Sequence, residues 1–89
     1  MKNFMDVINE VEISNTESFI IEQRMSGWNK VADILYNDDI NETKLLAMIK
    51  VECATSHREQ ILKRLYSRYN SLRKVRELEE LIHGVGKKH

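Results

Sequence analysis

Apolar positions recur at helical spacing along most of the chain. The longest run lies between Ser56 and His83, with Ile61, Leu65, Tyr69 and Leu72 on one stripe. Val75, Leu78 and Ile82 continue it, rotated slightly round the cylinder. No Pro or Gly interrupts this stretch. Ser56 and Glu59 have capping-box spacing, and Gly84 suits a helix C-terminus because it can take positive φ. The pattern predicts one continuous helix over 56–83, about 40 Å long at about 1.5 Å per residue. That exceeds what a small domain covers, so part of it is expected in a hairpin seam, an oligomer interface or against a partner.

Three earlier segments show the same period. Phe4, Ile8 and Val11 share a face, with Met5 beside it, and Asn3 can cap this short helix. It reads either as a segment docked on the core or as a detachable helix that binds a partner through Phe4, Met5 and Ile8. Ser14 and Glu17 predict the start of a helix running to about Tyr36, with Ile20, Ile21, Trp28, Val31, Ala32 and Leu35 buried and Gly27 inside it. Trp28 is expected to anchor its core. Asn37-Asp38-Asp39 favours a turn. Asp39 and Glu42 predict a third capping box, opening a helix over about 40–54 that buries Leu45, Leu46, Ile49 and Cys53. Asn41-Glu42-Thr43 matches a glycosylation sequon, but Asn41 reads better as a helix-start residue.

The expected fold is all-α: a small three-helix bundle with an extra short N-terminal helix and one long basic C-terminal helix. Residues 1–84 form the helical domain and 85–89 a flexible basic tail. Composition agrees, with 42% apolar and 31% charged residues, no Pro and three Gly. The single Cys excludes an internal disulfide and fits a reducing, cytoplasmic setting. No apolar run reaches the roughly 18–20 residues of a membrane span. Asp6, Glu10 and Glu12 are unlike a signal peptide.

Net charge is zero, yet its distribution is uneven. Residues 1–53 carry ten acids and five bases; residues 54–89 carry nine bases and four acids. Within 57–76 there are seven bases and one acid, Glu59. The acidic half, including Glu17, Glu22, Asp33, Asp38 and Asp39, offers internal partners for these bases.

No catalytic constellation is present. His57, His83, His89 and Cys53 lack the spacing that sets two metal ligands on one helix face, so no metal or cofactor is expected. Cys53 reads as a small core residue. Asp38/Asp39 and Glu79/Glu80 are not placed in an apolar pocket, and no Gly-rich phosphate loop exists. The chain is read as non-enzymatic. A helix-turn-helix over 42–69 matches in outline only, since its turn lacks Gly and its second helix is overlong. A coiled-coil seam through Ile61, Leu65, Leu72, Val75 and Ile82 meets charges at Arg68 and Glu79.

The expected function is nucleic-acid binding or regulation through the basic face of helix 57–82. Arg58, Lys63, Arg64, Arg68, Arg73 and Lys74 would contact phosphates, and Tyr66 would stack or hydrogen-bond. A homodimer or complex subunit is expected. The alternative is a protein-binding adaptor or inhibitor of a larger partner, in the manner of small phage or plasmid accessory proteins, acting through its N-terminal helices. A homo-oligomer pairing basic and acidic halves is a further reading.

Overall fold

In the computed structural model the chain is all-α, described for residues 3–37 and 39–84. The helices are α1 (Phe4–Asn9), α2 (Asn15–Arg24), α3 (Trp28–Leu35), α4 (Glu42–Ala54) and α5 (Glu59–Glu79). α5 runs on into a wide π-type turn, Glu80–Gly84. The tail expected at 85–89 and the turn residue Asp38 lie outside the described residues.

Local chemistry sets the helix starts. Asn3 Oδ1 accepts from the Asp6 N–H at 2.9 Å, and the Asp6 carboxylate accepts from the Asn3 N–H. Ser14 Oγ accepts from the Glu17 N–H at 3.1 Å. Asn41 caps α4 by accepting from the Lys44 N–H at 2.8 Å. The Asp39–Glu42 capping box expected there does not form. The Asp39 N–H is instead held by Asn37 Oδ1, and its carbonyl accepts from Lys44 Nζ.

The helix expected over 14–36 is two helices. The chain turns at Met25–Gly27, where Gly27 takes an extended conformation and becomes the α3 N-cap. This break drops Met25 into the core and rotates α3 so that Val31 and Leu35 point inward. Ile20 and Trp28, expected inside, are therefore exposed, Trp28 at 46%.

α4 is the central element, packed by α1, α2 and α5. Leu45, Met48, Ile49, Val51 and Glu52 are all buried on it. Leu46 and Cys53, expected to be fully buried, are only partly so. α5 contributes Ile61, Leu65 and Tyr69 to the core. α1 contributes Ile8, fully buried, and Phe4, whose ring meets Tyr66 edge-on at 5.0 Å and Tyr69 at 5.5 Å. Lys50 Nζ, reaching from α4, donates to the carbonyls of Asn9 and Val11 and ties down the end of α1.

The α4–α5 elbow departs most from expectation. The Ser56–Glu59 capping box is absent, and the cap position of α5 is Arg58, two residues later, with no side-chain cap of its own. His57 occupies the left-handed region at φ 49°, and its N–H donates to the Glu52 carbonyl at 2.7 Å. That geometry brings the first turn of α5 onto the Glu52 carboxylate, which accepts the Arg58 backbone N–H at 2.7 Å. A side chain of the preceding helix therefore caps α5.

Beyond Leu72 α5 leaves the core, and among the described residues it meets only the start of α4, through Arg76 on Glu42 and a shallow cleft shared with Ile40 and Asn41. The Cα radius of gyration is 14.6 Å and the long dimension 48 Å. A rounded chain of this length would have a radius of about 12 Å. The overhang accounts for the difference.

Candidate nucleic-acid interface

The seven bases of 57–76 divide into those that are already paired and those that are not. Arg58 belongs to the elbow. Its Nε and Nη2 donate to the two Glu52 carboxylate oxygens at 2.8 Å each, and Nη2 also donates to the Met25 carbonyl at 2.7 Å. Glu52 is 1% exposed. The hydrogen bonds from Arg58 hold its carboxyl below the usual carboxylate range against the opposing effect of burial, and they raise Arg58 in turn. Arg58 was expected on phosphate; its guanidinium is spent on fixing three segments together.

Arg76 donates to Glu42 on α4 at 2.7 Å and to Glu80 at 3.1 Å. Arg73 has Glu77 at 4.0 Å one turn on. Lys63 lies 3.4 Å from Glu59, but both side chains are largely exposed, so the pair holds little. Among the described residues Arg64, Arg68 and Lys74 have no acid within ion-pairing distance. Glu17, Glu22, Asp33 and Asp39, proposed from the sequence as internal partners, form no ion pair with α5; Glu42 and Glu52 do so instead.

At about 100° per residue, Lys63, Arg64, Arg68 and Lys74 fall within one arc of α5 of about 140°. Gln60, Ser67 and Ser71 share it, and no acid from 60 to 74 does. Tyr66 and Arg73 point to the opposite side, where Tyr66 packs on Phe4. The seven predicted contacts are therefore not one surface: four share a strip, while Arg58, Tyr66 and Arg73 stand apart from it.

α3 borders this strip and adds what sequence reading had assigned elsewhere. The Arg64 guanidinium lies over the Trp28 ring at 5.6 Å from its centroid, with half of the Trp still in water. Tyr36, 79% exposed, lines a small cleft with Arg64, Ser67, Arg68 and Ser71. Arg68 Nε is shielded from water with no acceptor among the described residues. The available signal was that Trp28 opens a helix after Gly27 instead of sitting mid-helix.

The proposed partner-binding residues are largely internal. Ile8 is core, Phe4 packs on two tyrosines, and only Met5 is exposed. α1 is thus the docked segment, not a free helix. Cys53 is partly buried, and burial, with the nearby Glu52 charge, pushes its thiol up. Among the described residues no cluster of three His, Cys, Asp or Glu side chains can hold a metal, and no helix is long and apolar enough to cross a membrane. The chain matches no protein-family model, no curated protein and no solved structure.

Proposed function

We propose that this is a non-enzymatic, cytoplasmic nucleic-acid-binding protein that grips a phosphate backbone with Lys63, Arg64, Arg68 and Lys74. Trp28 and Tyr36 stand beside the strip as stacking surfaces for bases. The observation that carries this reading is a basic strip whose Arg64, Arg68 and Lys74 have no acid partner among the described residues, flanked by an exposed Trp with an Arg over its face. A merely solvated basic helix does not need a half-exposed indole beside its arginines. Single-stranded nucleic acid fits best, because unpaired bases offer the ring faces that aromatic side chains stack against.

Trp28 is the only Trp, so its emission reports binding directly. Titration with a mixed-sequence single-stranded oligonucleotide should quench it. Four bases on phosphates give a slope of log affinity against log salt of about −3, at about −0.7 per phosphate on single strands. Arg64→Glu with Arg68→Glu should abolish binding while leaving the helix content unchanged. Absence of binding at low salt, or affinity indifferent to salt, refutes the proposal.

A further inference from the structure

Arg64, Ser67, Arg68 and Ser71 follow one another on a single ridge of α5 and line a cleft against Leu35 and Tyr36 at the end of α3. The cleft measures about 130 Å³. That is close to the roughly 150 Å³ of a cavity that takes one benzene ring, so it admits one small group and not a nucleoside. Its described lining holds no carboxylate and no His. Neither guanidinium has an acid partner among the described residues. Arg68 is part-buried, and its Nε lacks an acceptor there. Two guanidinium charges thus converge on room for one anion. The C-terminal end of α3 opposes them with only about half a unit of negative charge.

We propose, resting on the nucleic-acid reading above, that this cleft takes a phosphomonoester: the terminal phosphate of a single strand. Charge and donor number separate a terminal phosphate from an internal one. An internal phosphodiester carries a single charge and a pair of free oxygens. A terminal phosphate carries about 1.5 to 2 negative charges at pH 7 and offers three acceptor oxygens. Each guanidinium is a fork that can hold two oxygens, and the exposed hydroxyls of Ser67 and Ser71 add further donors. Two full positive charges match the terminal group, whereas a diester leaves one of them unneutralised. An anion that draws the Arg68 fork into the cleft also gives that side chain an acceptor.

The surroundings agree with a strand end. Arg64 belongs both to the cleft and to the Trp28 face, 5.6 Å from the ring centroid, so a phosphate held there sets its adjoining base beside the indole. Tyr36 stands on the other wall. Lys63 and Lys74 lie on the strip outside the cleft lining, where each meets an internal phosphate as a point charge.

Three short single strands of one sequence test the proposal: one without a terminal phosphate, one with a 5′-phosphate and one with a 3′-phosphate. Each is titrated into the full chain at fixed salt, with Trp28 emission as the readout. At least one phosphorylated strand should bind about 10-fold tighter than the unphosphorylated strand. The preference should fade as pH falls below about 6, where the terminal phosphate loses its second charge. Ser67→Ala with Ser71→Ala, changes that favour the helix, should bring the ratio of affinities down towards one, with helix content checked by circular dichroism. Equal affinity for all three strands overturns the cleft assignment and leaves the basic strip standing. A preference that neither low pH nor the double variant reduces also overturns it. No binding of any strand overturns both.

Discussion

Arg58→Met tests the elbow most sharply. The substitution keeps the apolar stem but strands the Glu52 carboxylate, which is 1% exposed. It removes the hydrogen bonds from Nε and Nη2 to Glu52 and from Nη2 to the Met25 carbonyl. Breaking a buried pair by deleting one partner costs about 3–5 kcal/mol. The Arg58 side chain is itself 35% exposed, so water can reach the freed carboxylate and the lower end applies, about 3 kcal/mol. In a domain this small that lowers Tm by roughly 12–24 °C.

The pH dependence gives a second handle. In the native chain the Glu52 pKa is lowered from its ordinary 4.5, chiefly by the hydrogen bonds from Arg58. Its contribution is therefore complete above the unfolded value and is lost as pH falls through the lower, folded one. Without Arg58, burial acts unopposed and raises the carboxyl, which then folds more readily when protonated. The penalty of Arg58→Met should be largest at neutral pH and shrink as pH falls towards about 4. Urea unfolding followed by circular dichroism at several pH values measures both. A penalty under about 1 kcal/mol at neutral pH, or one that does not change with pH, refutes the reasoning. Replacing Glu52 and Arg58 together by methionine should cost much less than the single change, since no charge is left stranded.

Two further predictions concern the fold. Ile8→Ala should cost about 2–5 kcal/mol in chemical unfolding, because Ile8 is fully buried in the core; a change within error would make α1 a detachable segment after all. Gly27→Ser should stabilise by a few tenths to about 1 kcal/mol. Its φ is −141°, a Cβ there meets nothing within 4 Å, and α3 lacks a side-chain cap. A fall in Tm would show that the turn needs glycine for another reason.

The helical character of the chain was legible because apolar spacing and side-chain caps are local signals. Asn3 and Ser14 cap as their spacing indicates, and Asn41 starts α4. Ser56 has the same local credentials but lost to Glu52, a competitor presented by the elbow that no short window contains. The 14–36 helix misled for a related reason: periodicity runs through Gly27, but burying Met25 is worth more than continuing the helix. At the candidate site, charge was legible and its allocation was not. Arg58 and Arg64 look alike in sequence. One is held by a buried carboxylate on α4 and the other lies open over Trp28, and only the packing of α3 and α4 on α5 separates them.

The Glu52–Arg58 clamp also bears on how this sequence can change over generations. Losing Arg58 strands the buried Glu52 charge, and losing Glu52 leaves the half-exposed Arg58 guanidinium without its carboxylate, whereas exposed Lys63 and Lys74 can exchange with other polar residues at little cost to stability. Positions 52 and 58 should therefore drift only as a unit. Because the same guanidinium also holds the Met25 carbonyl, such a joint replacement must restore the turn between α2 and α3 as well. The elbow should be the slowest part of the chain to diverge, and the basic strip should be free to follow whatever partner it meets.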